Sequence, residues 1–402
     1  MSEWVECTIS DIGTVVGGAT PSTKKSENYV DGKIAWITPK DLSTFKGRYI
    51  VSGERNITES GLKSCSTKLL PKNTVLFSSR APIGYIAIAA NDLCTNQGFK
   101  SVIPNENTDP LFLYYLLKFN KDKIESMGSG TTFKEISAKV MKSIKVFVPI
   151  SKSMQKNIAS ILGAIDNKIE LNNSINNNLI EQLNQFYTEF STRKQWPEMT
   201  IGDIAEKVAM GPFGSNIKVS TFVEKGIPII SGNHLRNYFL EEPSYNYITE
   251  EHASKLKNSI VYPNDIVFTH AGNIGQVAMI PEGSHFPYYV ISQRQFYLRC
   301  NTELITPEYV LLFFHSKIGQ HELLSYANQT GVPSIARPAT NLKKIRIPIP
   351  SLDEQKEWLS VISPIIKMYQ NNYLEIERLS ILRDTLLPKL MSGELDVSNI
   401  NI

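Results

Sequence analysis

A heptad-like spacing of apolar residues occurs twice in this chain of 402 residues, and it constrains the fold more than any other feature. Apolar side chains recur at alternating gaps of four and three in residues 155–190, and the spacing returns in residues 358–390. This spacing aligns them on one seam of a helix and is typical of a coiled coil. The two predicted seams are Ile158, Leu162, Ile165, Ile169, Leu179, Leu183, Phe186 and Phe190, then Trp358, Ile362, Ile365, Tyr369, Asn372, Ile376, Leu379, Leu386 and Leu390. We therefore predict two long helices, the first roughly 50 Å in length.

Polar residues interrupt both seams. Asn172 and Asn176 stand where the first pattern requires apolar residues, and Asn372 falls at the same step of the second pattern as Asn172. Buried polar residues in a seam lower stability but fix the register of the paired helices. We therefore expect the two helices to pack against each other, although two unrelated amphipathic helices on separate domains would show similar spacing.

The segment before each long helix is also repeated, which favours a paired arrangement. The matches are residues 200–204 with 8–12, 263–268 with 71–76, 274–275 with 83–84, and Gln293 with Gln97. Short strand-like runs separated by turn residues occur at 34–37, 49–51, 74–77, 85–89 and 98–103. Ser351 and Glu354 form a capping box at the start of the second helix.

These patterns predict an α+β fold with two pseudo-symmetric sheet-rich domains held apart by two long antiparallel helices that form a coiled coil. The expected division is a first sheet domain at 1–150, a first helix at 151–195, a second sheet domain at 196–350, a second helix at 351–395 and a C-terminal tail at 396–402.

Composition and motifs exclude several classes of protein. No apolar run approaches the roughly 18 residues of a membrane span, and the start of the chain lacks a signal-peptide pattern, so we expect a cytoplasmic protein. The chain contains no GxxxxGK loop, no GxGxxG that opens a helix after a strand, and no Asn-Pro-Pro-aromatic or Asp-Pro-Pro-Tyr tetrapeptide. All six histidines lie within residues 234–321, but none forms an HxxxH or HExxH pair, so we expect no metal site and no catalytic residues.

Several segments resemble the specificity subunit of type I restriction–modification systems. They are residues 350–355 (Pro-Ser-Leu-Asp-Glu-Gln), residues 386–395 (Leu-Leu-Pro-Lys-Leu-Met-Ser-Gly-Glu-Leu), and the Gly-Ala-Thr-Pro-Ser and Gly-Pro-Phe-Gly-Ser loops at 18–22 and 211–215. The resemblance covers nearly the whole chain. The first helix departs from the family pattern, since Met154 replaces the usual Glu before Gln155.

This resemblance implies a non-catalytic DNA-recognition subunit. Each sheet domain would read one half of a split, asymmetric double-stranded DNA target, and the helices would set the gap and dock two modification (methyltransferase) subunits. Those subunits would use S-adenosylmethionine, and restriction (translocase and nuclease) subunits would add ATP with Mg²⁺. No cofactor is expected in this chain itself.

Base edges and phosphates are contacted mainly by Arg, Lys, Asn, Gln, Ser and Thr. On this basis we predict DNA contacts in loops and at strand ends. The candidates are Thr20, Ser22, Lys24, Lys40, Ser79, Arg80 and Lys134 in the first domain, and Ser215, Lys218, His234, Arg236, His270, Asn273, Arg294 and Arg337 in the second.

Two alternative functions fit the sequence less well. A non-catalytic two-headed scaffold that binds proteins or glycans would have the same repeats, and the net charge of only +3 is compatible with it. An enzyme with a site near the histidines would show activity or metal uptake as an isolated chain.

Overall fold

The computed structural model describes residues 3–80, 82–130, 134–242, 244–328 and 331–397. The chain forms two compact units. The first contains Met1–Asn172 together with Glu375–Ile402, and the second contains Asn173–Leu374. Each unit therefore has its own sheet-rich domain and one segment of each long helix.

The first half of the chain alternates short strands with short helices and ends in one long helix. Its strands are β1 Trp4–Thr8, β2 Gly13–Gly17, β3 Ile34–Ile37, β4 Tyr49–Ile50, β5 Arg55–Ile57, β6 Val75–Phe77, β7 Ile86–Ala89, β8 Cys94–Thr95, β9 Lys100–Pro104 and β10 Lys145–Pro149. Its helices are α1 Ile9–Ile12, α2 Pro39–Ser43, α3 Glu59–Lys63, α4 Pro110–Phe119, α5 Lys121–Ser126, α6 Ala138–Ser143 and α7 Lys152–Thr192, with a 3-10 turn at Ser26–Asn28.

The second half repeats this order. Its strands are β11 Glu198–Thr200, β12 Ala205–Met210, β13 Ile227–Ile230, β14 Asn246–Ile248, β15 Ile260–Val261, β16 Ile266–Thr269, β17 Val277–Met279, β18 Tyr289–Ile291, β19 Gln295–Cys300, β20 Ala327–Asn328, β21 Ser334–Ile335 and β22 Arg346–Pro348. Its helices are α8 Ile201–Ile204, α9 Glu250–Lys255, α10 Pro307–His315, α11 Lys317–Leu324, α12 Pro338–Leu342 and α13 Leu352–Met391. Short 3-10 turns lie at Gly214–Asn216, Val219–Thr221, Gly232–His234 and Lys257–Ser259.

The two sheet domains have the same topology. The order β2-β9-β6-β7 in the first domain matches β12-β19-β16-β17 in the second, and β5-β3-β8 matches β14-β13-β18. In both, an antiparallel pair joins the start of the domain to the strand before the long helix, β1 with β10 and β11 with β22. The predicted duplication and the α+β class are therefore confirmed.

One part of the predicted match between the repeats is wrong by one residue. Asn73 and Asn264 both have positive φ, +72° and +71°, and both occupy the turn before a central strand. Asn73 therefore corresponds to Asn264, whereas the match of 71–76 with 263–268 paired Asn73 with Asp265. The match aligned the proline that begins each segment. The backbone turn instead requires a residue that tolerates positive φ, and this position is Asn73 in one repeat and Asn264 in the other.

A buried glutamine fixes the start of each long helix to its own domain. The amide of Gln155 accepts from Asp109 N (2.9 Å) and donates to the carbonyls of Asn107 and Pro149. Gln355 accepts from Thr306 N (2.8 Å) and donates to Leu304 O and Pro350 O. Both residues are almost completely buried. Ser351 and Glu354 form the predicted capping box, with 2.6 Å between Ser351 Oγ and a Glu354 carboxylate oxygen.

The long helices have 41 and 40 residues, about 60 Å each, and run antiparallel within each unit. In the second unit, Trp358 near the start of α13 donates to Phe186 O near the end of α7. In the first unit, Arg383 near the end of α13 pairs with Asp166 of α7 at 3.0 Å. Apolar seam residues such as Ile158, Leu162, Leu183, Ile362 and Leu390 are buried. The predicted helix pair is therefore confirmed.

Of the polar residues of the seam, Asn172 and Asn176 are buried and Asn372 is half-buried. Asn172 donates to Glu375 in the first unit (2.8 Å), and Asn372 donates to Asn176 in the second (2.9 Å). Asn176 also donates to the carbonyl of Tyr369.

The first domain makes a second polar contact with α7. Arg48 is buried and pairs with Glu170 at 3.1 Å, while its guanidinium also donates to Gly163 O. A Cβ at position 163 would lie 3.1 Å from the Leu111 side chain and 3.4 Å from Arg48. Gly163 therefore permits close packing of the domain on the helix, and α7 continues through it.

Candidate nucleic-acid interface

Three loop segments converge where the central strand of the first domain ends. Ser79 N donates to Gly98 O (2.7 Å), and Ser79 O accepts from Ile136 N (2.9 Å). Arg80 lies opposite Glu135 in an antiparallel bridge, and Glu135 exchanges two backbone hydrogen bonds with Ser129. We call residues 79–80, 97–98, 129 and 134–136 the first loop rim.

Charged and polar side chains surround this rim. Lys100 Nζ lies 3.3 Å from the Glu135 carboxylate and 3.4 Å from Ser79 Oγ. Arg80 is half-buried, Lys134 is exposed, and Thr20 donates to the Gln97 side chain. The predicted residues Thr20, Arg80 and Lys134 are therefore brought together at one edge of the domain.

The loop that carries Thr20, Ser22 and Lys24 is fixed by side chains from beneath. Trp36 donates to Ala19 O (3.1 Å), Tyr29 to Pro21 O (2.6 Å) and Asn28 to Ser22 O (2.9 Å). Thr20, Ser22 and Lys24 are themselves exposed. A polar loop with a fixed backbone can present donors to a rigid partner at little entropic cost.

The second domain builds an equivalent edge. His270 N donates to Arg294 O (2.9 Å), His270 O accepts from Ile335 N (2.8 Å), and Ala271 lies opposite Ser334 in an antiparallel bridge. Ser334 also pairs with Asn328. We call residues 270–271, 293–294, 328 and 333–335 the second loop rim.

Four predicted residues gather around this second rim. The Arg294 side chain lies over Gly272, since a Cβ there would be 3.6 Å from Arg294 Nη1. Asn273 follows in the same turn, and Arg337, at φ +41°, is the N-cap of α12 two residues after Ile335. Asn273, Arg294 and Arg337 are exposed.

His270 is the fourth of these residues, and its ring interacts with Gln293 O at 3.1 Å. Burial lowers the pKa of this imidazole, so it is neutral at neutral pH. A neutral ring offers a directional hydrogen bond and not a positive charge for phosphate.

The turns behind the two rims are built alike. Ser78 Oγ donates to Pro82 O and accepts from Tyr85 N, and Thr269 Oγ1 makes the corresponding bonds to Asn273 O and Gln276 N. Gly84 and Gly275 both take positive φ in these turns, at +93° and +82°. The backbone is thus conserved between the rims while their side chains differ.

Two predicted DNA-contacting residues are buried. Ser79 is fully buried, and its hydroxyl donates to Gly98 O. His234 is also buried, with Nδ1 accepting from Ser231 N (2.9 Å) and Nε2 on Ser244 O (2.8 Å). His234 has the role that Asp41 has in the first domain, where Asp41 accepts from Thr38 N. Neither side chain lies on the surface, so we leave both out of the proposed interface.

The remaining candidates lie on other loops. Lys40 is exposed and pairs with Glu54 at 2.8 Å, and Arg236 donates to Asn233 at 3.2 Å. Lys218 is an exposed residue before the 3-10 turn at Val219–Thr221, and Ser215 lies in the turn at Gly214–Asn216. Lys40 follows Pro39, whose ring packs beside Gly98 of the first rim.

Lys100 and Glu135 were missed by sequence reasoning. Lys100 occupies the first position of β9 and reads as an ordinary strand residue, and Glu135 follows a lysine in a segment without a clear pattern. The duplication relates the two rims, because Glu135 and Ser334 occupy equivalent positions in the backbone bridges. This equivalence is visible in the structure and not in the sequence pattern.

The described residues contain no group of three or more His, Cys, Asp or Glu side chains placed to hold a metal ion. Among the same residues, no helix is long and apolar enough to cross a membrane. The two rims instead present Arg, Lys, Asn and Thr side chains on fixed loops, an arrangement suited to hydrogen bonding with phosphates and base edges.

Comparison with known proteins identifies the family. The model for the "Type I restriction modification DNA specificity domain" matches residues 1–182 and again residues 193–378. The specificity subunit of the type I restriction enzyme MjaIX from Methanocaldococcus jannaschii is 30% identical over 424 residues, covering 99% of this chain and 95% of that protein. The EcoR124I/EcoR124II specificity subunit of Escherichia coli is 34% identical over 191 residues, covering 45% of this chain and 44% of that protein.

A solved structure shows the same fold. The crystal structure of the type I restriction–modification S subunit from M. genitalium aligns with a TM-score of 0.60 at 18% identity, covering 99% of this chain and 97% of that one. The two matches of the family model and the 30% identity to the MjaIX subunit show that the chain belongs to the family of type I restriction–modification specificity subunits.

Proposed function

We propose that this chain directs a type I restriction–modification complex to a bipartite, asymmetric DNA sequence, with each sheet domain reading one half. The observation that carries this proposal is that one backbone rim is built twice with different side chains. Arg80 and Glu135 lie opposite each other in the first rim, and Ala271 and Ser334 take those positions in the second. Two identical rims would favour a symmetric target, whereas unlike rims favour unlike half-sites.

The proposed interface consists of exposed or half-buried residues of both domains. In the first domain these are Thr20, Ser22, Lys24, Arg80 and Lys134, and in the second they are Asn273, Arg294 and Arg337. His270 belongs to the second rim as well, and Lys40, Ser215, Lys218 and Arg236 remain predicted contacts on other loops. Arginine is the best donor in this set, since its fork can pair with guanine O6 and N7 or with two phosphate oxygens.

The long helices have a separate role in the proposal. Residues 151–195 and 351–395 act as the spacer that sets the gap between the half-sites, and they dock two modification subunits. Residues 1–150 and 196–350 are the recognition domains, and 396–402 form a tail, of which 398–402 lie outside the described residues. The near-neutral charge of the chain fits a subunit whose partners supply much of the phosphate contact.

The partner subunits supply the chemistry in this proposal. The modification subunits bind S-adenosylmethionine and methylate adenine, and the restriction subunits use ATP with Mg²⁺ to translocate and cut DNA. The chain itself contributes recognition and no catalytic group, and the complex acts in the cytoplasm.

Sequencing of methylated adenines tests this function directly. The chain is expressed with its modification subunit in a host that lacks other adenine methyltransferases. We expect methylation at a split sequence with two unlike halves and a gap of fixed length. Methylation without a split motif, or no methylation despite a stable complex, would contradict the proposal.

A further inference from the structure

We infer that Arg80 and Glu135 act together as a reader of G·C base pairs in the first half-site, with Arg80 directed to guanine and Glu135 to cytosine. This inference rests on the proposed function and deepens it, because it names the base-pair chemistry that one rim recognises. It adds Glu135 as a base-reading residue and Lys100 as the residue that positions it.

The two side chains emerge from directly opposite backbone positions. Arg80 and Glu135 form an antiparallel bridge. Opposite residues in such a pair project to the same side, with Cβ atoms about 5 Å apart. Neighbouring base pairs are about 3.4 Å apart along the duplex. The pair is thus spaced to reach the same or adjacent base pairs.

The backbone under Glu135 is held on both sides. Glu135 exchanges hydrogen bonds with Ser129, its N donating at 2.9 Å and its O accepting at 3.2 Å. The next residue, Ile136, donates to Ser79 O. A reader of base edges has to be positioned closely, and this rim restricts the backbone from two directions.

Lys100 orients the carboxylate of Glu135. The Lys100 side chain is 13% exposed and its Nζ lies 3.3 Å from a Glu135 oxygen, whereas the Glu135 side chain is 44% exposed. The buried partner therefore holds one side of the carboxylate, and the rest faces outward. Within the described residues the Arg80 guanidinium forms no ion pair, so Arg80 and Glu135 do not neutralise each other.

A carboxylate in a DNA-facing rim repels phosphates, but Lys100 offsets this charge and leaves the exposed side of the Glu135 carboxylate as a hydrogen-bond acceptor. The N4 amino group of cytosine is the donor that Glu and Asp side chains accept from in the major groove. Arginine pairs in a bidentate manner with O6 and N7 of guanine. The combination of Arg80 and Glu135 therefore matches the two bases of a G·C pair, or one base from each of two neighbouring pairs.

The second rim places different chemistry on the same backbone. Ala271 and Ser334 replace Arg80 and Glu135, while Arg294 takes the position of Gly98, since Ser79 N and His270 N donate to Gly98 O and Arg294 O respectively. The positive charge is thus moved to another loop of the rim. This difference assigns the G·C requirement of Arg80 and Glu135 to the first half-site alone.

The test compares methylation motifs of complexes that carry Glu135→Gln, Arg80→Ala or the wild-type chain. We expect Glu135→Gln to reduce the preference for cytosine at one position of the first half-site by roughly 10- to 100-fold, because glutamine pairs with adenine instead. Arg80→Ala should relax the guanine requirement at the same or the next position by a similar factor. The second half-site and the gap should not change.

Lys100→Met separates positioning from a merely structural role. If Lys100 orients Glu135, this variant relaxes the cytosine position and leaves the guanine position unchanged. If Lys100 serves only folding, both positions and the yield of the complex fall together, which would overturn its assigned role.

Glu6→Gln and Lys145→Ala provide matched controls. Glu6 and Lys145 form an exposed ion pair at 2.8 Å between β1 and β10, and the same change of charge there should leave the motif intact. A wild-type motif whose first half lacks G·C pairs, or an unaltered motif in both Glu135→Gln and Arg80→Ala, would overturn the inference. In either case the split wild-type motif would still support the proposed function, whereas the absence of any split motif would contradict that function instead.

Discussion

At the scale of single residues, two buried glutamines have well-defined structural roles. Gln155 and Gln355 each accept one backbone hydrogen bond and donate to two carbonyls where a long helix begins. Each buried amide therefore has all of these hydrogen bonds formed and links the start of the helix to neighbouring backbone. Removing the amide would leave several buried backbone groups without hydrogen-bond partners.

Gln355→Leu should lower the free energy of unfolding by about 3 kcal/mol, because Thr306 N–H and the carbonyls of Leu304 and Pro350 lose their partner. Urea denaturation followed by circular dichroism measures the loss. Gln185→Leu is the control, since Gln185 is exposed and donates to Glu189 within α7. Equal losses in the two variants would argue against the role assigned to Gln355.

His315 should make stability depend on pH. Burial lowers its pKa from 6.5 to about 4, while its ring stacks on Tyr238 and its Nε2 lies 2.9 Å from Val277 O. Between these two values the unfolded chain binds the proton and the folded chain does not, so stability falls as pH decreases from about 6.5 to about 4. We expect a contribution of roughly 2 to 3 kcal/mol over this window.

Thermal unfolding of His315→Gln across this pH range checks the expectation. The variant should lose the part of the pH dependence that His315 supplies. His321→Gln should retain it, because His321 is an exposed residue of the same region. A wild-type slope that survives in His315→Gln would assign the effect to another group.

At the scale of elements, the register of the long helices depends on polar contacts as well as on the apolar seam. In the first unit, the Asp166 carboxylate accepts from Tyr115 OH at 2.6 Å and pairs with Arg383 at 3.0 Å. Asp166 is nearly buried, so its charge needs both partners. Such a contact forms at one register only, whereas apolar residues tolerate slippage.

Arg383→Met should therefore destabilise the first unit by about 3 kcal/mol, because it leaves a buried carboxylate without its ion pair. Arg378→Met is the control, since Arg378 lies on the same helix and is exposed, and its cost should stay below about 0.5 kcal/mol. Urea denaturation of both variants provides the comparison. Similar values would mean that the 3.0 Å pair contributes little to the fold.

The sequence predicted the elements better than the site. The seam residues and the repeated landmarks identified both helices and both domains, since periodic burial leaves a pattern in the chain. Ser79 and His234 were mistaken for surface residues because a short polar segment can either cap a turn or face solvent. Glu135 was missed because its position depends on a bridge to Arg80, which lies 55 residues earlier in the chain.

At the scale of the whole molecule, duplication explains how one chain provides two unlike readers. The strand order, the turns before the rims and the glutamine anchors are repeated, while the side chains at the rims differ. In the proposed function, the half-sites then depend on the rims and the gap depends on the helices.

Insertion of four residues into α7 after Asn172, together with four into α13 after Leu374, should change the gap and leave the half-site sequences intact. Four helical residues add about 6 Å, which corresponds to roughly two base pairs. Sequencing of methylated adenines measures both properties in one experiment. An unchanged gap in a stable, active complex would show that the helices do not set the spacing.

The first compact unit is assembled from both ends of the chain. Its hydrophobic core includes Leu387, Leu390, Met391 and Val397, which pack with residues of the first domain and the start of α7. At about 5 to 20 residues per second, the ribosome needs on the order of 10 to 40 s after α7 to synthesise them. The first domain must therefore wait for the synthesis of α13 to complete its core, and a chain terminated before α13 would expose that apolar surface to chaperones and proteases.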